Sequence, residues 1–593
     1  MAFVQPRKQL GIINRASRVY SPSFSNDLTY SMITSRGTGT LLFTRATTAT
    51  VVDFEGLIKT VKSGEIRFTG ARRVENLLTY TEDFSNAVWV SSNVTKSSNE
   101  LLATAENGNV LHSYTSLGAD YVFSVMLKRK TGTGDVQIAA DSGTYTTVTL
   151  TTEWQRFSVQ QTVAAGAKTA GINIVTDTDA IYIKEAQLEL VEGQTNQNPS
   201  EYVSNGVLSS PYHGCNVDGV KCFSYENGNT VASNIVTETI GNAISSTTLK
   251  GYLSEVACTN LLLGSEDFLD ASTYWSDVEV TTTANQEVAP DGNSFADKVL
   301  ETVTNAQHYT IQTVAYASFT DNTSYTFSVY AKKVTGRDYI WLRTRAKDGT
   351  TIYNVWYNLA TGALGTQGAG AVGIIEDAGN GWYRLGLTFN VLTGTTDVNF
   401  QIRATTGDNA QTTYAGDVTY GYYLWGAQVC NGKGLESYIK TVASTVTRNA
   451  DVLTIPQAGN VDYTKGSIYL EVNSLKGLGI SRIIWSINAV SALYFATADG
   501  LRLHDGTNLP TVILSDIQTG NKVACNWGDS TMAIFIEGES SLSSSFIGTF
   551  ASGVNMGIGC TLNGTFQLVG HIKNFKLWKT KISDSVLNSL VGN

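Results

Sequence analysis

Residues 76–84 read NLLTYTEDF and residues 260–268 read NLLLGSEDF, and a tryptophan, Trp89 or Trp275, follows each stretch. Chance repetition of so specific a string is negligible, so the chain contains an internal repeat. The second copy has the longer middle loops. Four further pairs of segments keep the same order: 121–129 with 325–333, 153–156 with 381–384, 183–188 with 424–429, and 200–203 with 436–439.

The repeated segments alternate with a period of two, which is typical of strands. In residues 339–345, YIWLRTR, Ile340 and Leu342 alternate with larger aromatic and basic residues. Many such runs, separated by Gly, Asn and Thr turns, favour antiparallel sandwiches. We therefore predict an all-β fold with tandem sandwich modules. Residues 582–590, ISDSVLNSL, are the exception and predict a short helix with Ser583 at its N-cap.

Composition excludes several classes of protein. Of the 593 residues 42% are hydrophobic and 10% aromatic, which excludes a disordered chain. The net charge of −10 argues against binding to nucleic acid, since phosphate recognition needs clustered Lys and Arg. The first residues carry no signal-type apolar run, and no stretch reaches the roughly 18 apolar residues of a membrane helix. We expect neither nucleic-acid partners nor membrane insertion.

Catalytic and metal-binding motifs are scarce. No GxSxG, HExxH or P-loop string occurs, and the five histidines share no ligand spacing. Residues 368–373 match GxGxxG but lie in β-type sequence, so we predict a turn there. The six cysteines form no CxxC pair, and we expect free thiols, with a Cys215–Cys222 bridge as the open alternative. We predict that the chain is not an enzyme.

The repeat carries a family resemblance. NLLLGSEDF, YTFSVYAKK, GWYRLGLTF, LWGAQV and SYIKTVASTVTRNAD together resemble the carbohydrate-binding-like jelly-roll modules of tailed-bacteriophage adsorption and tail-fibre proteins. The segment FTRATTATVVDFEGLIKT is similar to the one that precedes such modules. The final part, from GSIYLEVN to IKNFKLWKTKISDSVL, resembles a concanavalin-like or laminin-G-like lectin sandwich. The resemblance implies two jelly-roll modules followed by a lectin-like β-sandwich.

The predicted domain organisation follows from the repeat and the resemblance. We expect hairpin lead-ins before each module and a virion-attachment segment at the N-terminus. The bounds are 1–37 for the attachment segment, 38–75 for the first lead-in, 76–207 for the first module, 208–259 for the connector and second lead-in, 260–448 for the second module, and 449–593 for the lectin-like sandwich.

A candidate glycan site lies in the second module. Sugar recognition combines flat aromatic faces with planar polar side chains, and strand alternation places Trp341, Arg343, Trp356 and Arg403 on one sheet face. The alternative is that these aromatics belong to a core or a subunit interface. Residues 135–141 of the first module, DVQIAAD, have no aromatic and no Arg. We therefore predict that the first module is a structural spacer.

The acidic pairs of the repeated motif are candidate ligands for a metal ion. Glu82-Asp83 and Glu266-Asp267 supply the oxygens that Ca²⁺ prefers, and the resemblance implies that jelly rolls of this kind often hold structural calcium. The alternative is turn and strand-edge chemistry, since no dense DxDxD loop occurs. We expect no other cofactor, and the metal content stays open.

The resemblance implies a virion protein, assembled in the host cytoplasm, that acts in host-surface attachment through glycans. It also implies contacts with other virion proteins through the N-terminal segment and a homo-oligomer, with a trimer favoured. The alternative is a collar, baseplate or capsid-decorating protein whose modules contact virion proteins instead of glycans. A cell-wall-degrading enzyme is a weaker third option.

Overall fold

The computed structural model describes residues 21–206, 213–227, 240–245, 247–269, 273–474, 482–488, 491–495, 500–513 and 521–593. These residues form antiparallel sheets arranged as three sandwiches, which confirms the predicted all-β class. The predicted helix is confirmed as α1 (Asp584–Val591), with Ser583 as its N-cap residue. The predicted turn at 368–373 is also confirmed, because it joins two strands that end at Gln367 and begin at Val372.

The strands follow in chain order. The N-terminal part contains β1 (Phe24–Asn26), β2 (Leu42–Thr44), β3 (Ala49–Val52), β4 (Ile58–Val61), β5 (Phe68–Thr69) and β6 (Arg72–Glu75). The first sandwich contains β7 (Trp89–Ser92), β8 (Val94–Lys96), β9 (Glu100–Ala103), β10 (Gly108–Ser116), β11 (Ala119–Thr131), β12 (Val136–Ala139), β13 (Thr146–Val148), β14 (Gln155–Val163), β15 (Gly166–Ile174) and β16 (Ala180–Leu190). The connector contains β17 (Val220–Phe223), β18 (Tyr225–Asn227), β19 (Ile240–Ala243), β20 (Gly251–Ser254) and β21 (Cys258–Asn260).

The second sandwich contains β22 (Ser276–Val278), β23 (Val280–Val288), β24 (Phe295–Glu301), β25 (Asn305–Ala306), β26 (Tyr309–Val314), β27 (Thr323–Lys333), β28 (Tyr339–Arg345), β29 (Ile352–Asn358), β30 (Ala363–Gln367), β31 (Val372–Asp377), β32 (Trp382–Val391), β33 (Val398–Ala404), β34 (Tyr414–Ala415) and β35 (Gly421–Asn431). A short 3-10 turn lies at Tyr316–Ser318. The last part contains β36 (Val446–Arg448), β37 (Val452–Pro456), β38 (Gly466–Ser474), β39 (Arg482–Ser486), β40 (Ser491–Phe495), β41 (Gly500–Asp505), β42 (Thr511–Ile513), β43 (Asn521–Gly528), β44 (Thr531–Ile536), β45 (Leu542–Ser545), β46 (Asn555–Ile558) and β47 (Gly570–Trp578).

Each of the two repeated sandwiches has a front sheet and a back sheet. In the first, the front sheet has the order β13-β12-β15-β10-β7 and the back sheet β14-β11-β16-β9-β8. In the second, the front sheet has the order β22-β26-β33-β28-β29-β30 and the back sheet β23-β24-β35-β27-β32-β31. The repeated segments take equivalent places, since β11 lies between β14 and β16 as β27 lies between β32 and β35.

The third sandwich is assembled from distant parts of the chain, and we call it the composite sandwich. One sheet has the order β45-β44-β43-β38-β47-β20-β5, with β1 also paired to β47, and the other has the order β2-β37-β46-β39-β40-β41-β42. Strands before residue 75 and the connector strand β20 therefore complete the C-terminal fold. Leu28 and Met32 are buried in its core. Residues 21–37 thus pack within this sandwich, whereas residues 1–20 of the predicted attachment segment lie outside the described part.

The two repeated sandwiches are insertions. β6 pairs with β17 on either side of the first sandwich, and β21 pairs with β36 on either side of the second. We expected each lead-in to fold as its own hairpin. β3 and β4 do so in the first lead-in, and β18 pairs with β19 in the second, although residues 228–239 between them lie outside the described residues. The second lead-in also pairs with distant segments, since β17 pairs with β6, and β20 pairs with β5 and β47. These pairings join residues far apart in the chain, which local sequence patterns do not encode.

Buried charges hold the junction of these parts. The side chains of Arg45, Arg67 and Asp451 are fully buried, and Arg45 Nη1 lies 3.0 Å from Asp451 Oδ1. Arg67 binds Asp451 through its second amino group and lies 2.6 Å from a Glu255 oxygen. Glu436 and Arg448, whose side chains pair with each other, belong to the same buried group. We call the six residues the charge cluster: Arg45, Arg67, Glu255, Glu436, Arg448 and Asp451.

Arg448 completes the charge cluster from the end of the second sandwich. Its Nη2 lies 2.9 Å from Glu436 Oε2 and its Nη1 lies 3.3 Å from Glu255 Oε2. Burial alone would raise the pKa of Glu255, but the guanidinium groups of Arg448 and Arg67 hold that pKa well below its usual range. Buried charges are tolerated when each is paired and hydrogen-bonded, so this cluster fixes how the lead-ins, the second sandwich and the composite sandwich meet.

The repeated NLL motif is explained by a buried asparagine. Asn260 donates to the carbonyls of Ala427 and Ile439 and accepts from the amides of Leu262 and Val429. Asn76 makes the same four bonds in the first sandwich, with the residues at the equivalent positions: Ala186, Val203, Leu78 and Leu188. The motif therefore ties the start of each sandwich to its last long strand and to the segment that leaves it.

The following phenylalanine and tryptophan close one end of each sandwich. Phe84 and Trp89 have ring centroids 4.7 Å apart, and Phe268 and Trp275 have theirs 4.9 Å apart. The indole of Trp89 donates to the carbonyl of Tyr80. All four rings are buried. The repeated string is thus a packing and hydrogen-bonding motif.

One cysteine pair corrects the expectation of free thiols. Cys258 in β21 and Cys430 in β35 form a disulfide that joins the base of the second sandwich to its last long strand. Cys215 and Cys222 are buried thiols with their sulfur atoms 2.8 Å apart. The sequence did not indicate the first pair because 172 residues separate its members.

Replacement of Asp451 by Ala should lower the free energy of unfolding by about 3–5 kcal/mol, because two buried guanidinium groups lose their carboxylate. Chemical denaturation followed by circular dichroism measures this change. The control is Lys522→Ala, which removes a half-exposed pair with Glu537 and should cost about 1 kcal/mol or less. Equal small effects for both variants would contradict the role of the charge cluster.

Asn260→Ala should destabilise the second sandwich by at least about 2 kcal/mol, because buried backbone groups lose their partners. Differential scanning calorimetry of the full chain would show an earlier transition. Thr259→Ala, which removes an exposed hydroxyl contact with Thr447, is the matched control and should leave that transition nearly unchanged. A wild-type melting curve for Asn260→Ala would be inconsistent with the proposed clamp.

Candidate binding site

The predicted site residues lie on the outer face of the front sheet in the second sandwich. Ile340, Leu342 and Ile402 point into the hydrophobic core, so their strand neighbours Trp341, Arg343 and Arg403 point outward. The same alternation in β29 turns Val355 inward and Trp356 outward. The structure therefore brings all four predicted residues onto one face; glycan binding by them stays a prediction.

Three of them form one row across the sheet together with a tyrosine. Cα pairing runs from Tyr309 to Arg403, from Arg403 to Trp341 and from Trp341 to Trp356. The two indole rings stack with centroids 4.8 Å apart and an interplanar angle of 11°. The guanidinium carbon of Arg403 lies 5.0 Å from the Trp341 ring centroid and 4.0 Å from that of Tyr309. We call this set of four residues the stacked row.

The stacked row differs from the open aromatic platform that the sequence suggested. Trp341 has its ring between Trp356 and Arg403, and it is only 3% exposed, while Trp356 is 1% exposed. A pyranose needs a free aromatic face for stacking. Trp341 offers a sugar no such face here. Trp341, stacked on Trp356, instead contacts Arg403 together with Tyr309, and polar groups beside the row form the accessible part of the face.

A second row lies one step along the strands. Ile311 pairs with Gln401, Gln401 with Arg343, and Arg343 with Asn354. Gln401 Oε1 accepts from Arg343 Nη1 at 3.0 Å and from Arg403 Nε at 2.6 Å. Gln401 therefore links the two rows and fixes both guanidinium groups. Of the arginine pair, Arg343 is the more accessible.

The face carries positive charge without acidic partners. Arg343, Arg345 and Arg403 all point outward, and none of them makes an ion pair within the described part of the chain. Arg403 is 4% exposed. Burial, and then the charge of Arg343, lowers the pKa of Arg403 to about 10. Arg403 stays protonated at neutral pH, so this face holds three cations, of which Arg343 and Arg345 are partly exposed.

Several buried polar atoms on this face lack hydrogen-bond partners among the described residues. They are Trp356 Nε1, Asn354 Oδ1 and Arg345 Nε. Buried polar groups in proteins are nearly always satisfied, and a donor or acceptor left unpaired costs about 1–3 kcal/mol. Two donors and one acceptor in adjacent strands are therefore left without a partner from the described part of the chain.

The loop after β33 covers the Trp356 end of the stacked row. The Asp408 carboxylate accepts from the Thr366 amide at 2.8 Å and from its hydroxyl at 2.9 Å. A side chain at Gly365 would come within 2.5 Å of Asp408 Oδ1 and 3.1 Å of Trp356 Cβ. Glycine at 365 therefore lets the loop close against the sheet beside Trp356.

Two residues of the site, Tyr309 and Gln307, were not predicted from the sequence. The role of Gln401 as a bridge between the two arginines was not predicted either. Arg403 Nη1 donates to Gln307 Oε1 at 2.5 Å, and Gln307 Nε2 donates to the carbonyl of Gln411. The alternation in β26, YTIQTV, was the available signal for Tyr309. Gln307 lies in a turn outside any alternating pattern, so only the fold brings it to Arg403.

The front sheet of the first sandwich has a different outer face. Cα pairing aligns Asn109, Asn173 and Gln137 across three neighbouring strands. Asn173 donates to Gln137 Oε1 at 2.8 Å, and Gln137 donates to Thr147 at 3.3 Å. This amide row contains no aromatic ring and no arginine, in agreement with the composition of residues 135–141.

The acidic pairs considered for calcium have other partners. Glu266 accepts from the Tyr438 hydroxyl at 2.9 Å and pairs with Lys440 at 2.6 Å, and Asp83 accepts from the amide and hydroxyl of Ser85. Within the described ranges no group of three or more His, Cys, Asp or Glu side chains is placed to hold a metal ion. Among the same residues no helix has the length and hydropathy needed to cross a membrane.

Comparison with known proteins gives structural likenesses only. No protein-family model and no curated protein matches the chain. Among solved structures, the CBM40 module of a Ruminococcus gnavus IT-sialidase bound to alpha2,3 sialyllactose is 18% identical, with 22% of this chain and 84% of that chain covered and a TM-score of 0.20.

Two further structures cover larger parts of this chain. The tandem CBM22-1–CBM22-2 domain of Xyn10C from Paenibacillus barcinonensis is 12% identical, over 61% of this chain and 99% of that chain, with a TM-score of 0.20. Domains LG4-5 of the mouse laminin alpha1 chain are 8% identical, over 46% of this chain and 86% of that chain, with a TM-score of 0.17. At these scores the likenesses say nothing about what this chain binds.

Trp341→Ala should lower the free energy of unfolding of the second sandwich by about 3–5 kcal/mol, because a buried ring stacked on two partners is lost. Thermal unfolding of the full chain measures the change. Tyr316→Ala, at a ring that is 40% exposed in the same sandwich, should change stability by about 0.5 kcal/mol. If the two variants melted alike, the stacked row would not be a packed element.

Proposed function

We propose that this chain is a non-enzymatic saccharide-binding protein and that the front sheet of its second sandwich binds an acidic glycan. The observation that carries the proposal is the set of Arg343, Arg345 and Arg403 on one face without a carboxylate partner among the described residues. A carboxylate or phosphate on a sugar would complete charge-assisted hydrogen bonds to these guanidinium groups.

The geometry gives each part of the face a role in this proposal. Arg343 is the accessible donor, and Arg403 is held beneath it by Gln401 and by the rings of Tyr309 and Trp341. A guanidinium group that is fixed before binding loses little conformational entropy when the ligand arrives. Asn354 offers an amide to the sugar hydroxyls at the edge of the same row.

The biological setting comes from the sequence resemblance to tailed-bacteriophage adsorption proteins. In that setting the chain acts in host-surface attachment as a virion component, assembled in the host cytoplasm. The N-terminal segment contacts other virion proteins, and the assembly is a homo-oligomer with a trimer favoured. Calcium as a structural ion is part of the same expectation. These statements are proposals that rest on the quoted motifs.

A second candidate function is structural: a collar, baseplate or capsid-decorating protein whose sandwiches contact virion proteins. The observation in its favour is the charge cluster, which joins two sandwiches and both lead-ins into one unit through buried pairs. The nearly complete burial of Trp341 and Trp356 also agrees with a packing role.

Binding should be measured on an array of neutral, uronate-, sialate- and phosphate-bearing glycans, followed by calorimetry with the best acidic glycan. We expect acidic glycans to bind and their neutral counterparts not to bind. Arg343→Gln combined with Arg345→Gln should weaken binding by at least about tenfold, since charge-assisted bonds are lost. Arg36→Gln combined with Lys465→Gln, at two exposed positions of the composite sandwich, is the charge-matched control.

The same measurement separates the two candidates. Loss of binding in the double variant but not in the control supports the glycan site. Failure of every acidic glycan to bind the folded wild-type chain would contradict this site and leave the structural candidate. The arginine variants are preferred to tryptophan variants because Arg343 and Arg345 are partly exposed, so their loss should leave the fold intact.

A further inference from the structure

A second row of aromatic and basic side chains crosses the back sheet of the first sandwich. Lys128 pairs with Tyr182 in the Cα register, and its ammonium lies 5.1 Å from the Tyr182 ring centroid and 5.2 Å from that of Trp154. Trp154 stands at the start of β14, next to β11. Leu127 and Ile183 point into the core, so this Tyr182–Lys128–Trp154 row, which we call the lysine row, faces outward.

The lysine row is positively charged and partly open. Tyr182, Lys128 and Trp154 are each half-buried. Lys184 adds an ammonium 5.2 Å from the Trp154 ring and is paired with Glu185 at 2.8 Å. Lys128 itself makes no ion pair with any residue that the structure describes. Its charge is therefore uncompensated in a chain whose net charge is −10.

The repeat places the same three residue types in the second sandwich. There Lys332 pairs in register with both Trp382 and Tyr423. Trp382 is 2% exposed and its indole donates to the carbonyl of Val288 at 3.1 Å. Lys332 is neutralised by Glu287 at 3.1 Å. In the second copy the tryptophan is thus covered and the lysine charge is paired.

The difference arises from the hairpin at the edge of each back sheet. In the second sandwich β23 and β24 have 9 and 7 residues, and this hairpin supplies Glu287 and Val288. In the first sandwich β8 and β9, at the same place in the sheet, have 3 and 4 residues. The short hairpin does not reach over the lysine row. In the aligned repeats, Lys184 of the first sandwich takes the place of Trp425, which is buried in the second sandwich.

We infer that the lysine row binds an anionic saccharide, of the polyuronate class. The sugar's C–H face would stack on the Trp154 or Tyr182 ring, and its carboxylate would pair with Lys128 between them. A peptide helix would need an apolar groove, and this face is a lysine-bearing strand surface. Nucleic acid is disfavoured by the overall charge of −10, and because the neighbouring Lys130 and Lys184 are already paired with Glu100 and Glu185, they do not add free cations for successive phosphates.

If the lysine row binds a saccharide, the first module is not the spacer that the sequence predicted. That prediction considered only residues 135–141, which lie in the front sheet, whereas Trp154 and Lys128 lie at the back sheet. The inference stands on residues of the first sandwich alone and does not require the arginine face of the second sandwich to bind.

The test uses the full chain and tetragalacturonate as the probe, with maltotetraose as the neutral control, in isothermal titration calorimetry. Binding is measured in wild type, in an arginine-face variant (Arg343→Gln with Arg345→Gln), and after adding Lys128→Glu or Trp154→Ala to that variant. Lys332→Glu cannot serve as a control because it breaks the ion pair with Glu287, so Lys465→Glu, at an exposed lysine of the composite sandwich, is used.

We expect tetragalacturonate to bind the arginine-face variant, and Lys128→Glu or Trp154→Ala each to weaken that binding by at least about tenfold, since one charge-assisted or stacking contact is lost. Lys465→Glu should leave it unchanged. Circular dichroism checks that each variant is folded. If Trp154→Ala unfolds the chain, the result for Lys128→Glu decides the test. The inference is overturned if tetragalacturonate fails to bind the arginine-face variant, or if binding survives Lys128→Glu. Loss of all binding in the arginine-face variant alone would support the site in the second sandwich and refute this one.

Discussion

Six buried charged side chains at one junction determine how this chain is arranged. Arg67 and Arg448 face the carboxylates of Glu255 and Asp451, which come from different parts of the sequence. Removal of a member takes an ion-pair partner from a buried charge, which is strongly destabilising. The lead-ins, the second sandwich and the composite sandwich must therefore meet in one geometry. The positions of the two inserted sandwiches are set by this junction and by the paired strands at their bases, β6 with β17 and β21 with β36.

Local patterns predicted the strands well because alternation is a local property. β28 and β47 match the segments expected from their sequences, and the NLL repeat located both inserted sandwiches. The assembly of the composite sandwich was not predictable, since β1 and β47 pair across more than 540 residues of chain and no local signal encodes such a pairing. The Cys258–Cys430 bridge was missed for the same reason.

The residues of the candidate site could be predicted from the sequence, but their arrangement could not. Alternation placed Trp341, Arg343, Trp356 and Arg403 on one face. It could not show that the two indoles stack on each other and on Arg403, because the stacking depends on the register between three strands. In that register the tryptophans support a guanidinium group and do not form the open aromatic platform that the sequence suggested. The repeat then allows a comparison within one molecule. In the second sandwich the longer edge hairpin covers the tryptophan of the row and pairs its lysine, whereas in the first sandwich the tryptophan is half-buried and Lys128 has no ion-pair partner among the described residues.

The central claim is that the arginine face of the second sandwich is completed by an anionic sugar. A crystal structure of the full chain with the acidic glycan that binds best would test it most directly. The account predicts a sugar carboxylate or phosphate oxygen within hydrogen-bond distance of Arg343, with Trp341 and Trp356 still stacked beneath it. A structure in which Arg343, Arg345 and Arg403 are paired with carboxylates of the protein itself, and the glycan lies elsewhere, would contradict it.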